Sequence, residues 1–134
     1  MASIFTKIIA GEIPCYKVAE DAHNIAFLDI RPLTKGHTLC VPKLEMDELY
    51  ELPEESYVSL MNFAQKVAKA QKRVIECKRV GSIVLGMEVP HAHLHLVPIN
   101  SERQLSFSNT PLNLSPEEMR SIAASISDAL DSAE

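Results

Sequence analysis

Apolar positions along this chain follow two periods, three to four residues in some stretches and two in others, and each change of period marks a new element. Ile4, Phe5, Ile8 and Ile9 recur at helical spacing. Ser3 can cap the start of that run and Gly11 can stop it, so the spacing predicts a short helix over residues 4–10. "CYKVAE" (15–20) and "NIAFLDI" (24–30) read as strands separated by the polar turn Asp21 to Asn24. Pro32 and Gly36 punctuate "RPLTKG" as a loop, and "HTLCVP" (37–42) follows as a third strand. From near Pro53 the residues Tyr57, Leu60, Met61, Ala64, Val67, Ala68, Val74 and Ile75 return at steps of three and four. With Glu54 and Glu55 complementing the dipole of the first turn, this is a long amphipathic helix of about six turns. "SIVLG" (82–86) and "HAHLHLVPI" (91–99) are two more strands, joined through "GMEVP".

The tail carries "SPEE", with Ser115 as N-cap, Pro116 at the first helical position and Glu118 completing a capping box. Met119, Ile122, Ala123, Ile126 and Leu130 form the apolar face of this last helix. Strands in two groups with a long helix between them predict an α+β fold. The expected architecture is an antiparallel sheet of about five strands, one long helix and a C-terminal helix, in a single domain over 1–134.

Composition changes this picture little, but it narrows the partners. A formal charge of −5 argues against non-specific binding to nucleic acid or to an anionic membrane surface. No stretch approaches membrane-spanning length, and "MASIFTKIIAGEIP" has no apolar run long enough for a signal peptide. Cys15, Cys40 and Cys77 are far apart with no CxxC pair, the pattern of reduced thiols in a cytoplasmic protein.

The candidate chemistry lies in "PHAHLHLVP" (90–98). Three of the chain's five histidines, His91, His93 and His95, occupy alternate positions there. Side chains alternate across a strand, so the three imidazoles share one face, spaced about 6.6 Å apart at the backbone, while Ala92, Leu94 and Leu96 point into a core. The residues alone leave three readings open. One is a polar surface face. Another is a metal site, for which His91 and His95, about 13 Å apart along an extended strand, are too distant; it would have to use His93 and His95 with His37. The third is attack by imidazole on phosphorus, a role suited to a side chain that is substantially neutral near pH 7.

These motifs resemble those of the histidine triad (HIT) superfamily, in its branch of nucleoside phosphoramidases (Hint-like), bacterial type. "HAHLHLVP" fits His-x-His-x-His-x-x with apolar spacers. "AFLDIRPLTKGHTLCVPK" is similar to the family's earlier block, and "IFTKIIAGEIP" to its N-terminal segment. The resemblance implies that His93 is the nucleophile, attacking the α-phosphorus of a nucleoside 5′-phosphate derivative and holding a nucleotidyl-histidine until water cleaves it. The other ring nitrogen of His93 would be oriented by a backbone carbonyl near the first histidine, so His91 would help fix the reactive tautomer. His95 would contact phosphate and assist the leaving group, and His37 would sit behind the triad. Asp29 would bind the ribose hydroxyls, a task for which a carboxylate with several acceptor sites is suited. Phe5, Ile8, Phe27 and Ile30 would form an apolar purine slot.

Two departures stand out. The family's usual Gly-Gln-Ser or Gly-Gln-Thr run is replaced by Gly86, Met87 and Glu88, and an amide usually found about eleven residues before the first histidine is absent from "VGSIVLGMEVPH". Glu88 is the candidate replacement, able to protonate a leaving group or to hydrogen-bond a histidine. Where many bacterial relatives carry Cys-x-x-Cys near the N-terminus this chain has Ser3 and Thr6, so no structural zinc is expected. No cofactor and no metal are expected for the nucleophile either.

The expected activity is thus hydrolysis of an adenosine phosphoramidate or a dinucleoside polyphosphate by a cytoplasmic homodimer. The alternatives are a nucleotide-binding or sensing protein with little turnover and, third, a metal-dependent hydrolase.

Overall fold

The computed structural model describes residues 2–131. Helix α1 (Ile4–Ile9) is followed by strands β1 (Lys17–Glu20), β2 (Asn24–Leu28) and β3 (Thr38–Pro42). Helix α2 (Glu54–Val74) then leads to β4 (Arg79–Ile83), β5 (Leu94–Ile99) and helix α3 (Pro116–Asp131), with single 3₁₀ turns at Leu49–Glu51 and Glu102–Gln104. The five strands form one antiparallel sheet in the order β1-β2-β3-β5-β4. Among the described residues no helix is long and apolar enough to cross a membrane.

Every residue of β2, β3 and β5 is buried, because both faces of the sheet centre are covered. On one face Ala26, Leu28, Cys40, Leu94 and Leu96 pack with Leu60, Ala64 and Val67 of α2 and Met119, Ile122 and Ile126 of α3. Ala92, preceding β5, joins the same cluster, so the alternation Ala92, Leu94, Leu96 does supply core. On the other face two apolar clusters stand apart: Ile25, Phe27, Leu39 and Val41 under Phe5 of α1, and Leu33 with Val97 and Ile99. The histidines line the floor between them.

Two strand limits differ from those the pattern predicts. β4 begins at Arg79 and ends at Ile83, three residues earlier at each end than the apolar run suggests. It gains its early residues by pairing with β5, from Arg79 opposite Ile99 to Ile83 opposite His95. β5 starts only at Leu94, because the Ala92 N–H leaves the sheet ladder to donate to the Met46 carbonyl at 2.7 Å. His91 and His93 therefore precede the strand.

The capping box of α3 is formed as its sequence requires. The Glu118 N–H donates to Ser115 Oγ at 3.1 Å, and the Ser115 N–H donates to Glu118 Oε1 at 3.1 Å. Ser115→Ala removes one acceptor for an otherwise unpaired helix-start donor and is expected to lower stability by about 1 kcal/mol. Urea unfolding of the variant against the wild type measures this.

Candidate active site

The site is built on a short row of rings. Going along it, Phe27 meets Phe5 at 5.5 Å between centroids, Phe5 meets His93 at 5.0 Å, His93 meets His95 at 5.0 Å and His95 meets His37 at 5.2 Å. His91 lies beside Phe5 at 5.8 Å. All four histidines are buried, so each ring nitrogen needs a partner or a reason to lack one.

His93 Nδ1 is 2.7 Å from the carbonyl oxygen of His91. A carbonyl only accepts, so Nδ1 carries the proton and the lone pair of the neutral ring is on Nε2. Burial pushes the His93 pKa below the usual histidine value, against a weaker opposing pull from its hydrogen bond to His91. His91 is held by both nitrogens: Nε2–H donates to the Pro42 carbonyl at 2.8 Å, and Nδ1 accepts from the Ser3 hydroxyl at 2.6 Å.

His37 and His95 form a second linked pair. The Leu33 N–H donates to His37 Nδ1 at 3.0 Å, so the His37 proton sits on Nε2. That N–H donates to His95 Nδ1 at 2.9 Å, which leaves the His95 proton on Nε2. Burial, reinforced by the neighbouring His37 and His93, drives the His95 pKa down to about 3, and burial lowers that of His37 also. Both rings are neutral donors at neutral pH. His37 is placed by a turn in which Gly36 adopts φ +89°, in the left-handed region where a side chain is strained. The Gly36 carbonyl accepts from Thr38 Oγ1 at 2.8 Å and from Gln71 Nε2 of α2 at 2.9 Å, which ties helix, turn and sheet together.

Asp29 stands at the end of β2, its Oδ2 3.7 Å from His37 Nε2 and its Oδ1 accepting from the Arg31 N–H at 2.9 Å. Ile8 packs, half-buried, against the cluster holding Phe5 and Phe27. Ile30 follows Asp29 beyond the end of β2; its side chain is 76% exposed and lies outside the buried cluster of Phe5 and Phe27. Glu88 is on an exposed stretch before the triad, and its charge reaches His93, where it works weakly against the lowered pKa.

A metal would find its best donor set in Asp29, His37 and His95, whose ligand atoms lie within 4.8 Å of one another. His93 is not part of that group, in contrast to the set expected from spacing. The donor chemistry does not suit a cation as the site stands. His37 Nδ1 is committed to the Leu33 N–H, so His37 Nε2 is protonated and faces His95, and a metal there would have to break that arrangement.

Several contacts near the triad are not legible in any motif. Phe107, from the segment after β5, sets its ring 4.8 Å from that of His95 and 6.3 Å from that of His37. Ser3, Thr6 and Glu45 gather around His91. A lone Phe in "SFSN" and a Glu in a polar loop carry no local signal of such placement.

A concavity of about 560 Å³ lies elsewhere, lined by Asp21 and by residues of α2 including Glu54, Ser59 and Lys66, and holds none of the four site histidines.

The chain is similar to known proteins over most of its length. The HIT domain family model matches residues 10–102. An adenosine 5′-monophosphoramidase of Schizosaccharomyces pombe is 38% identical over 130 residues, spanning 95% of this chain and 97% of that protein. The crystal structure of a zinc-bound histidine triad family protein from Mycobacterium smegmatis superimposes with a TM-score of 0.82 at 31% identity, covering 100% of this chain and 99% of that one. A Hit-like protein involved in cell-cycle regulation from Bartonella henselae gives a TM-score of 0.81 at 30% identity, with 95% of each chain covered. With the family's alternating histidines gathered on one face of the sheet it shares with these relatives, the chain belongs to the HIT domain family.

Proposed function

We propose that this protein is a hydrolase that cleaves a nucleoside 5′-phosphate derivative, an adenosine phosphoramidate or a dinucleoside polyphosphate, through a nucleotidyl-histidine on His93. The observation that carries the reading is the His93 ring: Nδ1–H is fixed on a backbone carbonyl, and Nε2 is left neutral with its lone pair available. The similar phosphoramidase of S. pombe supports the substrate class.

In the first step the Nε2 lone pair forms a bond to the α-phosphorus as the bond to the amine or phosphate leaving group breaks. His95, neutral with a pKa near 3, serves by donating its Nε2–H to a phosphoryl oxygen or the leaving atom, not as an acid that gives its proton away. An amine leaves with a proton drawn from solvent. Water then attacks phosphorus, the P–Nε2 bond breaks, and His93 is regenerated with release of the nucleoside monophosphate. Asp29 fits the role of ribose acceptor, and Phe5, Phe27 and Ile8 that of a purine slot. Ile30, exposed next to Asp29, stays available to contact a bound base as part of that slot.

The same reading takes residues 1–134 as one domain of a cytoplasmic protein. It also takes a second copy of the chain as the cover for Val58, Met61 and Val74, which α2 leaves exposed.

Rapid acid-free quenching of the enzyme with an adenosine phosphoramidate, followed by intact mass measurement, tests the mechanism. The expected result is a transient gain equal to one adenylyl group, located on His93. Multiple turnovers with no adduct at any quench time would sink the covalent route.

A further inference from the structure

The Nδ1–H of His93 is held by the carbonyl of His91, and the His91 residue is itself held from outside the triad. Its Nε2–H is taken by the Pro42 carbonyl at 2.8 Å, so Nδ1 can only accept, and the Ser3 hydroxyl supplies the donor at 2.6 Å. Ser3 Oγ simultaneously accepts from the Thr6 N–H at 3.0 Å as the N-cap of α1. One atom therefore both starts the helix and pins the histidine. Glu45, from the loop after β3, closes the arrangement: its Oε1 accepts from the Ser3 N–H at 2.8 Å and from the Thr6 hydroxyl at 2.5 Å. The Thr6 hydroxyl, turned to the carboxylate, leaves Oγ1 as a second acceptor 3.3 Å from Ser3 Oγ. The His91 Nδ1 lone pair at 2.6 Å is the nearer partner for the single Ser3 proton. Those two donors also keep the Glu45 carboxylate below its ordinary pKa range.

From these contacts, which join residues up to 88 positions apart, we infer that Glu45, Thr6 and Ser3 are positioning residues for the nucleophile: they hold the His91 ring in its Nε2–H form so that its carbonyl stays aimed at His93 Nδ1. None of the three touches the reacting atoms. The proposal rests on His93 being the nucleophile, but the ring geometry it concerns can be observed without any reaction.

The discriminating variants are Ser3→Gly and Ser3→Thr. Glycine is tolerated at an N-cap but has no hydroxyl for His91, whereas threonine retains it. Glu45→Ala, on an exposed residue, removes the anchor without entering the core. Two readouts are taken on the full chain: hydrolysis of a fluorogenic adenosine phosphoramidate, and ¹⁵N-resolved NMR of the ring protons and tautomers of His91 and His93.

In the wild type, His93 is expected as a single Nδ1–H tautomer with slow exchange of that proton. In Ser3→Gly, a loss of aim of this kind is expected to lower kcat about tenfold to hundredfold. Binding at the nucleotide face is not involved, so KM should move by less than about threefold. Exchange of the His93 Nδ1 proton should quicken and the other tautomer appear. Glu45→Ala should show the same changes more weakly, and Ser3→Thr should restore wild-type behaviour.

The inference is overturned if folded Ser3→Gly keeps the wild-type His93 ring signals, whatever its rate. It is also overturned if Ser3→Thr is as impaired as Ser3→Gly in both readouts, since the hydroxyl would then not be the active element. If the wild type itself does not turn over the phosphoramidate, the hydrolase reading fails, and the ring signals alone still decide the positioning role.

Discussion

His93→Asn is expected to lower turnover of an adenosine phosphoramidate on the order of 10⁴-fold or more, the scale of losing a covalent nucleophile, while nucleotide binding stays within a few-fold. Asparagine is the informative replacement. Its side-chain amide can still donate to the His91 carbonyl, as Nδ1–H does at 2.7 Å in the native protein, but it offers no lone-pair nitrogen where Nε2 stood. The fold and the pocket are thus retained and only the attacking atom is removed. Assays in EDTA with a fluorogenic substrate, alongside calorimetric titration with adenosine monophosphate, make the comparison. A wild type that binds nucleotide but releases no product would favour a sensing protein over a hydrolase. Activity lost in EDTA and restored by zinc would favour a metal route, for which the Asp29, His37 and His95 group is the place to look.

Stability should fall in acid as the buried histidines come under pressure to take up protons. His37, His93 and His95 have pKa values lowered by burial, whereas in the unfolded chain each titrates near 6.5. Below that pH the unfolded state binds more protons than the native state, so the free energy of unfolding rises with pH and stability is lost as pH falls. The contribution is fully present above the unfolded value. It declines from about pH 6.5 downward, and for His95 the loss continues to about pH 3. Each such proton costs about 1.4 kcal/mol per pH unit within its window. The His95 window is the one that extends furthest into acid, and His37 and His93 add to the slope just below pH 6.5.

Urea unfolding at pH 7.5, 6 and 5 should therefore show a steep fall. In His95→Gln, a side chain that does not titrate, the slope should lessen by about one proton's worth. A wild-type stability that is flat across that range would refute the assignment of buried neutral rings.

The site was legible in the sequence to unequal depths. The histidine alternation and the apolar residues between them announce a row on one face with core behind it, and Leu94 and Leu96 do pack against α2 and α3. The start of β5 was not legible, because whether Ala92 bonds to a neighbouring strand or to Met46 depends on where a distant loop passes. Nor was the exposure of Ile30: its apolar character matches Phe27, but the strand ends at Leu28 and its inward direction ends with it. Phe107 shows the opposite case, an aromatic with no pattern around it that the chain folds onto His95.

By itself the sequence determined the elements and the faces. Period and capping are relations among residues two, three or four apart, and Ser3, Ser115 and Glu118 act within one turn of their own helices. Only the tertiary structure decided which side chains meet: His37 with His95 across 58 positions, Ser3 with His91 across 88, and Glu45 with Thr6 across 39. Those distances close only when β5 enters the sheet between β3 and β4 and brings the histidine segment against the N-terminal helix. The proton on each imidazole follows from that closure. A ring's tautomer is set by the partner opposite each nitrogen, and for these four histidines most of those partners come from elsewhere in the chain.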